Sequence, residues 1–190
     1  FRRRGDSSPQ GLYNPKFNNS DACGVGGVVA IDGVATHELL QQLNRFGCCM
    51  PNRGGSCLMP TGRREGDGAG YSVSVPTEFF LLDAQMQKKG IRSMTHDQPL
   101  KRGDLGVGMW FMPTSKPERD TARAQIIEAI EDHVGVTPIY RKVPIDASVL
   151  GDRAKSKMPY IRQFVVVRPS TMSPEEFERN LYWARLQVEF

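Results

Sequence analysis

Asp21-Ala22-Cys23-Gly24-Val25-Gly26-Gly27-Val28-Val29-Ala30-Ile31 divides this chain into two kinds of sequence. Ahead of Cys23, residues 1–22 are polar and turn-rich, with Ser7-Ser8-Pro9 and Asn18-Asn19-Ser20-Asp21, and their bulky apolar groups are Leu12, Tyr13 and Phe17. Such a segment reads as a leader draped over a domain. From Cys23 onward β-branched residues and glycines take over, which predicts a buried strand over 23–31 with close backbone approach at its start. Asp32-Gly33 then turns the chain. Spacing leaves two readings for Cys23. It is a small core side chain, which spacing alone favours, or a sterically unencumbered thiol. Cleavage between Ala22 and Cys23 would give one residue both a thiol and an α-amino group. An amine with a pKa of about 7.7–8.0 is suited to take the thiol proton as general base.

Further along, Leu39, Leu40, Leu43 and Phe46 fall at helical spacing over 35–47, with Gly47 as a stop. Residues 50–70 carry Gly54, Gly55, Gly62, Gly66, Gly68 and Gly70 together with Pro51 and Pro60, the pattern of a long irregular segment. Tyr71 to Val75 alternates like a strand. Thr77 is placed to cap a helix running to about Lys89, closed by Gly90. Leu105 to Met112 predicts a strand. Ser115-Lys116-Pro117-Glu118 has capping-box spacing before a helix to about His133 that puts Ile126, Ile127 and Ile130 on one face. Residues 136–143 and 161–167 predict strands, and Ser173-Pro174-Glu175-Glu176 is a second capping box opening a helix through Val188. The order lacks the regular βαβ rhythm of a parallel sheet, so a layered α+β fold is expected.

Composition agrees. A chain of 190 residues and 21.2 kDa suits one ordinary domain. With 39% hydrophobic and 24% charged residues it has a globular balance. The longest apolar run, Cys23 to Ile31, is far short of the roughly 20 residues of a membrane span, so no membrane anchor is expected. The net charge of +4 is spread out apart from Arg2-Arg3-Arg4, and no basic stripe with interleaved aromatics marks a nucleic-acid surface. Gly5-Asp6-Ser7-Ser8-Pro9-Gln10 follows those arginines where a secretory signal would be apolar. The cytoplasm, or an organelle stroma or matrix, is the expected compartment.

Cys48, Cys49 and Cys57 match no tetrahedral zinc spacing and are expected to be buried thiols in a reducing compartment. No metal site is expected. His37, His96 and His133 offer no triad and are expected at the surface, and Asp67, set among glycines, reads as a turn cap.

Ser20-Asp21-Ala22-Cys23-Gly24-Val25-Gly26 resembles the processing site of the amidotransferase domain of glutamate synthases, a class II (N-terminal nucleophile) glutamine amidotransferase. Gly11-Leu12-Tyr13-Asn14-Pro15 is similar to the family's leader. Gly66-Asp67-Gly68-Ala69-Gly70, running into Val75-Pro76-Thr77-Glu78-Phe79-Phe80, resembles its glycine-rich turn, strand and helix start. Leu105 to Pro113 resembles the next strand, as does Arg141-Lys142-Val143-Pro144-Ile145-Asp146 followed by Leu150-Gly151, Ala154, Pro159, Ile161 and Gln163. The pieces cover essentially the whole chain in order.

The resemblance implies a four-layer αββα sandwich, incomplete on its C-terminal side. Residues 1–22 would be a propeptide-like leader and 23–190 the first part of the domain. It implies hydrolysis of glutamine to glutamate and ammonia through a thioester on Cys23, with processing at Ala22–Cys23. The ammonia would pass to a synthase centre that uses FMN and an iron–sulfur cluster, in domains beyond this chain, to make glutamate from 2-oxoglutarate. Arg53-Gly54 falls where the family has an Arg-Gly pair. Arg53 would order the site by donating hydrogen bonds or adding positive charge near the thiolate, or it is a loop arginine facing water. Asn52 stands where the family has a histidine, and Gly55 where it has a small residue after the pair. The family's carboxylate-binding arginine and Asn-Gly oxyanion pair follow the last helix, and this chain has no Asn-Gly dipeptide. The chain is therefore expected to be an unprocessed, truncated and inactive form, with a homodimer as a further expectation. The alternatives are a catalytically degenerate module of the same fold with a binding or regulatory role, and an unrelated thiol-dependent hydrolase.

Overall fold

The computed structural model describes residues 25–49, 56–58, 62, 64–66, 70–95 and 99–189. The chain divides into two compact units, one up to Ser72 and one from Val73 to the end.

In the first unit residues 25–36 run without strand pairing to the turn that sequence reading expected. The Gly33 N–H donates to the Ala30 carbonyl at 3.1 Å, Gly33 has φ 72°, and the Asp32 carboxylate accepts the Val34 N–H at 3.0 Å. Helix α1 (His37–Cys48) follows, with Thr36 accepting the Leu39 N–H as its N-cap. It keeps no buried residue, and Leu40 is exposed. Strands β1 (Ser56–Leu58) and β2 (Arg64–Gly66) then pair antiparallel, Ser56 opposite Gly66 and Leu58 opposite Arg64. Two expectations are corrected here. The segment from 50 to 70 is not wholly irregular, since it holds a hairpin. The buried strand over 23–31 is not formed in its described part: Val25 and Ile31 are exposed at 91% and 103%. β-Branched residues favour a strand only where a partner strand meets them, and among the described residues none pairs with this run.

The second unit holds the larger fold. Its three-stranded antiparallel sheet has the order β3 (Leu105–Met112), β5 (Tyr160–Val167), β4 (Ile139–Lys142), with Leu105 opposite Val167 and Ile139 opposite Val165. Side chains alternate across the pleat. Phe164 and Val166 therefore face one side with Met112, against helices α5 (Lys116–Val134) and α7 (Pro174–Glu189). Val165, Leu105 and Ile139 face the other, against Phe80, Met86 and Ile91 of α2 (Thr77–Leu82), α3 (Ala84–Lys88) and α4 (Ile91–Met94). The helices bury residues at helical period: Ile126, Ala129, Ile130 and Val134 of α5, Phe177 and Ala184 of α7. Gly106 lets α7 approach closely, because a Cβ there would lie 2.5 Å from a Leu181 methyl and 3.3 Å from the Phe177 ring. A short helix α6 (Asp152–Lys157) precedes β5. A mixed α/β unit around a small antiparallel sheet agrees with the α+β expectation.

The helix expected over 77–89 is broken. Asp83 is extended (ψ 127°) and its carboxylate accepts the Gln85 and Met86 N–H groups at 3.0 and 3.1 Å, so the chain restarts a helix there. Thr77 is not a cap; Pro76 precedes it and makes no side-chain cap bond. Gly90 closes α3 with φ 80°, as expected. Residues 71–75 run unpaired, without the partner a strand needs. Ser115 makes no side-chain cap bond, whereas Ser173 accepts the Glu176 N–H at 3.1 Å.

Candidate functional site

Ala22, Cys23, Arg53 and Gly54 lie outside the described residues, as do Asp67 and His96. Their near neighbours in the first unit are described, and helix α1 joins them. Gly26, three residues past Cys23, sits on α1 so tightly that a Cβ on it would fall 2.0 Å from the Phe46 ring. The next residue, Gly47, leaves the same kind of room for Tyr71, whose hydroxyl lies 2.4 Å from where a Gly47 Cβ would be. That hydroxyl bonds the Asn44 side-chain oxygen at 3.2 Å. The helix ends at Cys48 and is capped by Cys49, whose N–H reaches the Arg45 carbonyl at 3.0 Å, four residues short of Arg53. Through Phe46, Gly47 and Asn44, helix α1 thus contacts Gly26, three residues past Cys23, and Tyr71, which follows the segment holding Arg53 and Gly54. Sequence reading found the helix but not these two glycine contacts, whose signal is a small residue facing an aromatic.

Cys48 and Cys49 are exposed, which corrects the expectation of buried thiols. They fall at the C-terminal end of a helix that buries no residue. His37 opens α1. His133, in the last turn of α5, pairs through Nε2 with the Gln187 side-chain oxygen at 2.8 Å rather than with a carboxylate. Among the described residues no three or more His, Cys, Asp or Glu side chains gather as a metal site would require.

In the second unit the polar network centres on Arg141, which sequence reading placed in a family segment without a role. Alternation along β4 puts Arg141 on the same buried face as Ile139. A charge so placed requires partners. It donates to Asp83 through Nη2 and to Gln163 through Nη1, both at 2.9 Å, and lies 5.1 Å from the Phe79 ring centroid. The Arg141 hydrogen bond holds the Asp83 carboxyl below the usual carboxylate range, against the opposing pull of burial. Its alternating position was the available signal.

A cleft of about 620 Å³ opens in the same unit, bordered by Leu100, Val136, Thr137, Val167, Asp104 and Arg168 among others. Its two charges are spent on each other: Arg168 donates to Asp104 through Nε at 3.1 Å and Nη2 at 2.6 Å. Burial pushes the Asp104 carboxyl up, but the Lys101 N–H and Arg168 outweigh it and leave it below the usual range. With its carboxylate tied up as an acceptor, Asp104 is a structural anchor and not a general base.

The family model for class-II glutamine amidotransferases matches residues 23–190. The chain belongs to the class-II glutamine amidotransferases. It is 36% identical over 166 residues to ferredoxin-dependent glutamate synthase 2 of Synechocystis, an alignment that covers 87% of this chain and 10% of that protein. To the glutamate synthase [NADPH] large chain of Bacillus subtilis it is 33% identical over 181 residues, covering 95% and 11%. Against the chloroplastic ferredoxin-dependent glutamate synthase 2 of Arabidopsis thaliana it is 32% identical over 186 residues, covering 97% and 11%. The chain thus spans about a tenth of the length of the curated relatives it matches. No helix among the described residues is long and apolar enough to cross a membrane.

Proposed function

We propose that this amidotransferase chain supplies ammonia to a glutamate synthase by hydrolysing glutamine on Cys23. The observation that carries the reading is that the family match begins at residue 23, the position where the polar leader gives way to the glycine-rich, β-branched run. Residues 1–22 are then a propeptide-like leader, and residues 23–190 the first part of a four-layer αββα domain.

The chemistry needs both functional groups of an N-terminal cysteine. Removal of residues 1–22 frees the Cys23 amine, which takes the thiol proton. The sulfur attacks the side-chain amide carbon of glutamine, and the C–N bond breaks as the protonated amine returns its proton to the departing nitrogen. Ammonia leaves and a γ-glutamyl thioester remains. Water then adds to the thioester, losing a proton to the amine, and the C–S bond breaks to give glutamate with the thiol reprotonated. Arg53 stabilises the thiolate by its charge or holds the loop through backbone carbonyls. While the leader is attached, the Cys23 nitrogen is an amide and cannot act as base, so the unprocessed chain is inactive. FMN and an iron–sulfur cluster belong to other domains of the complete enzyme, which would use the ammonia with 2-oxoglutarate. The enzyme works in the cytoplasm or an organelle stroma or matrix, as a homodimer, without nucleic acid or membrane.

The test uses the full-length gene product, with the leader intact and with residues 1–22 removed, incubated with a diazoketone analogue of glutamine. Peptide mass mapping is expected to find the adduct on Cys23 only after leader removal, alongside glutamine hydrolysis. Labelling of Cys48, Cys49 or Cys57 in its place, or no labelling of the processed protein, overturns the reading; the latter result favours the degenerate binding module that Asn52 suggests.

A further inference from the structure

Four cations gather round two tyrosines, Tyr140 of β4 and Tyr160 of β5. The Arg162 and Arg119 guanidinium carbons lie 3.7 and 4.0 Å from the Tyr160 ring centroid. The Arg123 guanidinium lies 4.6 Å from the Tyr140 centroid, with the Lys89 ammonium at 5.5 Å and Arg162 at 5.9 Å from the same ring. Among the described residues the ion pairs are Lys116–Asp120, Arg141–Asp83, Arg168–Asp104 and Arg185–Glu189. None includes any of these four cations. Asp120 feels Arg119 and Arg123, yet its own hydrogen bond goes to Lys116.

Donor accounting separates the four. Arg162 is already committed, through Nη1 to the Ile161 carbonyl at 2.7 Å and through Nη2 to the Tyr160 hydroxyl, and its Nε is enclosed without a partner. It acts from below as fixed charge. Lys89 spends one proton on the Tyr140 carbonyl and Arg119 one N–H on the Thr114 carbonyl. The Arg123 side chain makes no hydrogen bond to a described residue, so among the described residues its five guanidinium donors are uncommitted. Mutual repulsion is already felt, since the Lys89 ammonium is destabilised first by burial and then by the Arg123 charge.

We infer that Lys89, Arg119 and Arg123, held over Tyr140 and Tyr160 with Arg162 beneath, bind a phosphate-class oxyanion. The aromatic rings fix the guanidinium planes before any ligand arrives, which lowers the ordering cost of binding. The donors come from two separate stations, the end of α3 (Lys89) and the first turns of α5 (Arg119 and Arg123), while Arg162 on β5 adds fixed charge. A tetrahedral anion with three or more free oxygens can accept from all of them at once, whereas a lone carboxylate saturates on a single guanidinium fork. This site shares no residue with the Cys23 reading and stands independently of it.

The full 190-residue chain is titrated calorimetrically with inorganic phosphate, pyrophosphate and ADP at constant ionic strength set by chloride. Saturable binding to one site is expected. Arg123→Gln should weaken it roughly tenfold and Arg119→Gln with Arg123→Gln roughly a hundredfold, while Arg102→Gln, which removes an exposed cation near the opposite end of β5 from Tyr160, leaves it within about twofold. ADP binding more tightly than pyrophosphate would place the phosphoryl group on a nucleoside; equal binding would mean that the phosphoryl oxygens alone are read. Tryptophan fluorescence checks that each variant is folded, and Lys89→Gln, altering an exposed side chain, serves if an arginine variant is not. Absence of saturation up to about 20 mM phosphate, or wild-type binding in a folded Arg123→Gln protein, overturns the inference.

Discussion

Replacing Asp83 with serine should separate two jobs that this residue performs, and the separation can be measured. Its Oδ1 caps α3 by accepting the Gln85 and Met86 N–H groups, while its Oδ2 receives Arg141 at 2.9 Å. The pair is nearly enclosed, with side-chain exposures of 7% for Arg141 and 14% for Asp83. Serine is as good an N-cap as aspartate but leaves the guanidinium with Gln163 alone. Breaking a buried ion pair from one side costs about 3–5 kcal/mol; the residual water contact here lowers the expectation to about 2–4 kcal/mol. Asp83→Ala loses the cap as well, adding about 1 kcal/mol. Trp110 and Trp183 are the chain's two tryptophans. Both fall in the second unit, so fluorescence-monitored urea unfolding reports that unit directly. The pH dependence follows from the depressed Asp83 carboxyl. A folded value below the unfolded one contributes stability that is fully present above about pH 4 to 5 and lost as pH falls through the folded value. Wild type should therefore lose more stability than Asp83→Ser on acidification below about pH 4. A serine variant within about 1 kcal/mol of wild type at neutral pH, with an unchanged acid limb, would refute the assignment of this pair as a principal tie between α3 and the sheet.

Two shorter expectations follow from the same unit. Ser173→Ala should cost about 1 kcal/mol through loss of the bond to the Glu176 N–H, while Ser115→Ala, where no cap bond exists, should change the urea midpoint little. Gly106→Ala forces a methyl to within 2.5 Å of Leu181 and against the Phe177 ring, and the same assay should register about 1–3 kcal/mol of destabilisation.

Sequence pattern alone identified the elements whose burial is decided locally. The run Phe164-Val165-Val166 has no polar face, the mark of a strand covered on both sides, and it is the centre of the sheet. The isoleucines of α5 are less uniform than their spacing suggests: Ile126 and Ile130 are buried while Ile127 only packs at the margin. The break at Asp83 was hidden by good helix formers on both sides, although an aspartate two residues ahead of a free N–H is itself a start signal. Residues 25–31 have the composition of a strand, but pairing is a tertiary property, and no local pattern reveals whether a partner is present. For the candidate site, the proposal at Cys23 starts from the join between two compositions and from the family resemblance, and residue 23 itself lies outside the described residues. Arg141 was legible only as a charge at an apolar position, and the Lys89–Arg119–Arg123–Arg162 group was not legible at all. Its members come from α5, β5 and the end of α3, and only the fold brings them together.

Strands β3 and β4 do not touch; each is zipped to β5, which comes last of the three along the chain. On a ribosome this order imposes a wait. Between the synthesis of Met112 and that of Tyr160 an elongating chain spends roughly 2–10 s with strand β3 complete and its partner β5 not yet made. The sheet then closes in one event when Tyr160 to Val167 emerge. Early helix α5, formed from local contacts alone, is the natural cover for Met112 and Trp110 during that interval, so nascent-chain stalling before residue 160 should leave this half of the protein protease-sensitive and chaperone-bound.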